Sequence, residues 1–325
     1  LAVERLENRL LPANIFVHNF LDGAVGALTP LGGGNFLAPN LRSAVAHHDD
    51  FSGASTIFLD TTTNAATTYK LTSEFGGQLT IDYSASSALT IKNRFGGISA
   101  IDAQHTSATD KFRIFEVGSG GTTIFDHLRL THGDAPSPSF FFSEGGAIFN
   151  DDGANLTLQF CKVSNNSATG YGGSLAFGGF GGGIFNADGA TLKLISSTID
   201  HNTATGGFSS SSAQAAGAEG GGLCVGAFGE GTTSVTITAS TFAYNKAIGG
   251  TNMFNGGEGN GGNAYGGAVE IANQSPEFAT TFTVINSTFA NNTAQGGAAA
   301  GGATGGFAYG GAIANKFGNN GTLVN

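Results

Sequence analysis

The chain has 325 residues, a formal charge of −10 and charged side chains at only 11% of positions, with 54 Gly, 27 Phe and no Trp. So much glycine disfavours long helices, the lack of a strict G-X-Y period excludes collagen, and alternation of Gly-rich stretches with Val/Ile/Leu/Phe runs argues against disorder. The acidic balance argues against nucleic acid as a partner, because phosphate recognition needs a Lys/Arg surface.

In chain order, residues 1–13 form a charged segment with no apolar run of the signal-peptide kind. Residues 14–50 read as a cap. It closes on a short helix over 40–46, with Asn40 as N-cap. His47, His48, Asp49 and Asp50 follow as a C-terminal turn, where the helix dipole favours His. Between 51 and 133, the segments 56–59, 79–81, 89–91, 112–115 and 125–130 are strand candidates.

From residue 145 the chain repeats itself. A Gly-Gly anchor starts at Gly145, Gly181, Gly220, Gly266 and Gly310, at spacings of 36, 39, 46 and 44 residues. Each of the first four anchors is followed by a second block, at 156–168, 192–204, 235–247 and 282–294. Stacked without gaps, these blocks give apolar columns. Leu156, Leu192, Val235 and Phe282 form one; Leu158, Leu194, Ile237 and Val284 form the next, two residues on. Apolar positions two apart mean strands with one buried face. A third apolar column holds Val163, Ile199, Phe242 and Phe289, and a small column holds Cys161, Ser197, Ser240 and Ser287.

The last column is Asn166, Asn202, Asn245 and Asn292. Identical Asn side chains at strand spacing can hydrogen-bond along a stack axis, and Asn tolerates the left-handed backbone of a sharp corner. Three short strands per turn with fixed corners describe a right-handed parallel β-helix, an all-β solenoid rising about 4.8 Å per coil. The predicted division is 1–13 as a sorting-like segment, 14–50 as the cap, and 51–325 as the β-helix, with further coils expected beyond Asn325.

Anchor and second block leave Gly-rich insertions at 169–180, 205–219, 248–265 and 295–309. Insertions at one repeat position project from one face. Phe177, Phe180, Phe208, Phe254, Tyr265, Phe307 and Tyr309 make them candidate binding loops. Cys161 and Cys224, on non-adjacent coils, read as buried free thiols.

Catalytic patterns are sparse. From residue 134 onward there are four Lys, no Arg and eleven acids, so no basic cleft for a uronate lyase is evident. Asp151 and Asp152, the one adjacent acid pair of the coils, read as a solvated turn rather than a hydrolase pair. The densest polar cluster is Asp126, His127, His132 and Asp134. Asp126 and His127 are expected on a strand, and His132 and Asp134 at a corner around Gly133. No metal site and no cofactor is expected, and no stretch has the apolar length of a membrane span.

The Gly266-Gly-Ala-Val and Gly310-Gly-Ala-Ile anchors, with Phe242-Ala-Tyr-Asn245 and Phe289-Ala-Asn-Asn292, resemble the repeats of bacterial polymorphic outer membrane proteins. Leu41-Arg-Ser-Ala-Val45 is similar to the cap helix of bacterial surface β-helix repeat proteins, and residues 3–13 resemble a short motif of very large exported bacterial proteins. The resemblance implies secretion or surface display in a bacterium, and an adhesin-like or structural, non-enzymatic role. A polysaccharide or another surface protein would be the partner. The alternative is a polysaccharide lyase, epimerase or hydrolase of the pectate-lyase-like class, working through Asp126, His127, His132 and Asp134.

Overall fold

The computed structural model describes residues 12–51, 53–59, 68–83, 87–105, 107, 109–137, 141–226, 231–272 and 280–316, and the backbone of 320–324. The segment 1–11, most of the sorting-like stretch, lies outside them. The described chain is mostly β, in largely parallel sheets, with one short α-helix.

Five sheets organise it. Sheet 1 has eleven strands and runs through Ala13–Val17, Ser55–Leu59, Ala88–Asn93, Thr122–Asp126, Asn155–Gln159, Thr191–Ile195, Thr233–Thr238, Thr280–Ile285 and Asn320–Val324, with Asn35–Ala38 and Thr29–Gly32 at its start. Every pairing in it is parallel except that of its two outermost strands. Sheet 2 has seven strands, from Thr68–Leu71 to Thr288–Ala290, and sheet 3 has seven, from Leu79–Ile81 to Ile313–Asn315. Two five-stranded sheets complete the set: sheet 4 from Asp134–Ala135 to Thr293–Gln295, sheet 5 from Ser143–Glu144 to Ala308–Tyr309. The chain visits sheets 3, 1, 2, 4 and 5 in that order and starts again. Each strand therefore pairs with its equivalent one repeat later.

The columns expected from the sequence recur as registers. Ile57, Ile91, Phe125, Leu158, Leu194, Ile237 and Val284 are successive partners in sheet 1. All are buried, and they join one core with Val163, Ile199 and Phe242 of sheet 2 and Ile148, Ile184 and Leu223 of sheet 3. Burial of this apolar surface is the main stabilising term.

Three local readings change. A regular turn has five strands rather than three, because the residues after the Asn column and those before each anchor also pair, as sheets 4 and 5. The expected strand at 112–115 starts only at Phe115, and Thr68–Leu71 and Ser99–Ala103 are strands that the pattern did not mark. Residues 14–50 contribute three strands to sheet 1 before helix α1, Leu41–Ala46. Asn40 caps α1 by accepting the Ser43 N–H at 2.8 Å. Buried Arg42 ties the helix down by a two-pronged pair with Asp22, at 2.8 and 3.0 Å, and by donating to the Gly77 and Gln78 carbonyls.

All non-glycine residues with positive φ among those described fall in two columns. His127, Phe160, Ser196, Ala239 and Asn286 turn the chain from sheet 1 to sheet 2; His132, Asn165, His201, Tyr244 and Asn291 turn it out of sheet 2. Left-handed backbone costs a non-glycine residue about 1–2 kcal/mol. The residue after each corner supplies the compensation. Asn166 donates through Nδ2 to Asn202 Oδ1 at 2.9 Å, Asn202 to Asn245 at 3.0 Å, and Asn245 to Asn292 at 3.0 Å. The same oxygens accept the backbone N–H of Asn166, Asn202 and Asn245. At the other corner, the Oγ of Ser197, Ser240 and Ser287 accepts the backbone N–H of Cys161, Ser197 and Ser240, each at 3.1 Å.

Candidate functional site

The four residues of the polar cluster do not converge. His127 is not on a strand; it is the corner between Thr122–Asp126 and Leu128–Thr131, with φ 55°. It pairs with Asp126 at 2.5 Å and stacks on Phe160 of the next turn at 4.9 Å. His132, also at a corner, pairs instead with Asp102 at 2.8 Å. Asp134 is taken up by Lys111 at 3.1 Å and by the Ser167 hydroxyl at 2.9 Å. Asp126 and His127 thus pair with each other, while His132 and Asp134 are each held by groups outside the cluster. Among the described residues no group of three or more His, Cys, Asp or Glu is arranged to hold a metal ion.

The insertions pack as a second layer on the stack. Their legs are joined by backbone hydrogen bonds that alternate between outgoing and returning chain. Gly207 N donates to Phe177 O, Ala216 N to Gly207 O, Gly250 N to Ala216 O, Gly262 N to Gly250 O, Gly297 N to Gly262 O and Gly306 N to Gly297 O, all at 2.8–3.1 Å. Glycine is required because the backbones touch: a Cβ on Gly262 would run into the Ala216 carbonyl oxygen, and one on Gly250 into that of Gly207. Small side chains fill what space remains inside the layer, with Ser209 and Asn252 buried there and donating to the Ala213 carbonyl, and the large ones go outward or down onto the stack. Phe208, Phe307 and Tyr309 are exposed, as are Leu175 and Met253. Phe177 and Phe254 are half-buried. Phe180 offers no free ring, for it is buried with Phe185 and Cys224. Tyr265 and Tyr309 stack face to face at 4.9 Å, so each covers a face the other could have used for a ligand.

A chemically richer line runs along the Gly-Gly anchors, where sheets 5 and 3 meet. Two columns flank it. One is Glu144, Phe180, Glu219, Tyr265 and Tyr309 of sheet 5. The other is Glu116, Phe149, Phe185, Cys224, Glu270 and Ala314 of sheet 3. A left-handed glycine (145, 181, 220, 266 or 310) makes the corner between them in each turn.

At one end, the Arg113 guanidinium bonds Glu116 at 3.3 Å and covers the Phe149 ring at 4.8 Å; burial lowers its proton affinity, opposed by Glu116 and Glu144. Burial pushes the Glu144 carboxyl up to about 7; Arg113 opposes the rise, while Asp152, Asp151 and Asp188 add to it. Asp151 and Asp152, read as a plain turn, thus lie in the electrostatic field of this line. At the other end are Glu219, Glu270 and Lys316. Between them, burial raises the Cys224 thiol, as it pushes Cys161 up to about 12. Neither cysteine is in a disulfide.

Sequence reasoning missed Glu144, Glu219 and Glu270. The signal was present: in the aligned anchors, an acid breaks columns that otherwise hold Phe, Tyr, Cys or Ala. Compared with models of protein families, with curated proteins and with solved structures, the chain matches none. No helix among the described residues is long and apolar enough to cross a membrane.

Proposed function

We propose that the chain is a right-handed parallel β-helix of a bacterial surface or secreted protein, of the kind seen in polymorphic outer membrane protein repeats, and that it binds or scaffolds rather than catalyses. The fixed order of the sheets and their in-register parallel pairing support the β-helix. The observation that carries the binding role is the glycine layer. Backbone packing inside it leaves Leu175, Phe208 and Met253 in solvent, and exposed apolar side chains grouped on one added layer mark an interaction surface. The amides and hydroxyls of the Asn and Ser ladders are engaged along the stack and so serve structure rather than chemistry.

A second reading, a polysaccharide-active enzyme, has one observation in its favour. Glu144, half-buried and pushed up to about 7, has the character of a general acid near neutral pH. One experiment separates the two. The purified chain is incubated with neutral and acidic polysaccharides and with surface-protein extracts, and both retention and new chain ends are measured. Retention without new ends, weakened by Phe208→Ala with Leu175→Ala, supports the binding reading. New reducing or unsaturated ends that vanish in Glu144→Gln overturn it in favour of the enzyme.

A further inference from the structure

The far end of the anchor line holds an unusual triad. Lys316 Nζ lies 2.8 Å from Glu219 Oε1, across 97 residues of sequence. The registers explain the reach. Glu219 closes the strand Ala218–Glu219, and Lys316 follows Ile313–Asn315, which stands two strands along sheet 3 from Leu223–Val225, the strand after Glu219. The lysine side chain therefore runs back over one intervening turn. That turn supplies Tyr265, whose ring centroid is 4.5 Å from Nζ. It also supplies Glu270, which is 0% exposed and has neither carboxyl oxygen hydrogen-bonded among the described residues. The register neighbours of Glu270 are Cys224 and Ala314, both buried. Burial, and then the nearby Glu219 charge, push its acid up to about 9, so it is protonated at neutral pH.

An ion pair alone gives Glu270 no role, and a buried acid without a partner needs a reason. We propose that Lys316 and Glu219 condense into a side-chain amide, with Glu270 as the acid that relays the proton, so that a covalent staple spans two turns of the stack. The step balances without any co-reactant: an ammonium and a carboxylate give an amide and one water, with no net change in charge or oxidation state. A proton moves from Nζ to Glu219 along their hydrogen bond, giving the minor amine-and-acid form of the pair. The nitrogen lone pair then bonds to Glu219 Cδ. Glu270 gives its proton to the departing oxygen and recovers the one that the nitrogen loses, and the C–O bond breaks to release water. Holding the groups in contact supplies an effective concentration of about 10⁵–10⁸ M. The reaction is slow, because the amine is the scarce form. Burial lowers the Lys316 ammonium, but the Glu219 charge and hydrogen bond, with Tyr265 and Glu270, leave it raised.

The test is the denatured intact mass of the full chain after extended incubation, with a tryptic peptide map. The expected result is a mass one water below that of the sequence, and a branched peptide joining the segments of Glu219 and Lys316. Lys316→Arg should keep the full mass, Glu219→Gln should lose one ammonia instead, and Glu270→Gln, close in shape, should cross-link far more slowly. The branched peptide is decisive, since Asp152-Gly153 and Asp188-Gly189 could also lose water as cyclic imides. A linear Lys316 peptide from the wild-type chain would overturn the staple. Cross-linking at an unchanged rate in Glu270→Gln would overturn the relay.

Discussion

Replacing Asn245 with alanine removes one rung from the ladder at the corner between sheets 2 and 4. The side chain is fully buried. Its Nδ2 donates to Asn292 Oδ1 at 3.0 Å and to the Ile199 carbonyl at 2.8 Å, and its Oδ1 accepts from Asn202 N at 3.1 Å and Asn202 Nδ2 at 3.0 Å. Alanine fills none of these roles, and the Asn202 backbone N–H and the Ile199 carbonyl lose this partner in a place with no room for solvent. A buried polar group left without its partner costs about 1–3 kcal/mol, so the variant should lose roughly 3–5 kcal/mol. For a chain of this size that is a fall in melting temperature of roughly 4–7 °C. The assay is thermal unfolding followed by far-ultraviolet circular dichroism, with Thr236→Ala as control. Thr236 lies in the same turn on the outward side of sheet 1, and its loss should cost less than about 0.5 kcal/mol. Equal melting temperatures for the two variants would refute the ladder as a source of stability.

Two further perturbations address the glycine layer and the buried acid. Gly262→Ala puts a methyl group against the Ala216 carbonyl and should lower the melting temperature sharply, whereas Gly302→Ala, with open space around it but φ at 86°, should cost only about 1 kcal/mol from backbone strain; equal effects would mean that the layer is not close-packed. Glu270 has a folded-state pKa of about 9 against an ordinary 4.5. The unfolded chain therefore binds fewer protons between those values, and stability must fall with rising pH across that window. Relative to Glu270→Gln, the wild type should be at its best near pH 4 and lose ground steadily up to pH 9; a difference that stays constant over this range would show that the carboxyl titrates normally.

The regular turns were legible because each position meets its own equivalent in the next repeat. Stacking makes similar demands on similar positions, and the demand surfaces as a column: apolar at Leu158, Leu194 and Ile237, amide at Asn166, Asn202 and Asn245. Strands such as Gly179–Phe180 and Ala218–Glu219 did not surface, because two residues are too few to show alternation and their inward positions hold only Gly or Ala. The early turns were harder to read, since Thr68–Leu71 and Ser99–Ala103 sit at irregular distances from their neighbours and no anchor marks them. The polar cluster looks denser in sequence than in space for a related reason. Asp126, His127, His132 and Asp134 are close in sequence, but with left-handed corners at His127 and His132 only Asp126 and His127 pair with each other, and His132 and Asp134 go to Asp102 and Lys111. Glu219, Glu270 and Lys316 are far apart in sequence and meet only because the chain returns to the same corner of the stack every 44 to 46 residues there.

The two columns of left-handed corners have a further consequence. From Asn165 and Ser196 onward the backbone there is held by the ladder residue that follows, so the turn itself does not depend on one particular corner side chain. His, Phe, Ser, Ala and Asn all serve at one corner, and His, Asn and Tyr at the other. Such positions can vary in residue type while keeping a fixed pitch of about 4.8 Å along the axis. They form two ruled edges on which a surface pattern can be rewritten, one side chain per repeat, without touching the fold beneath.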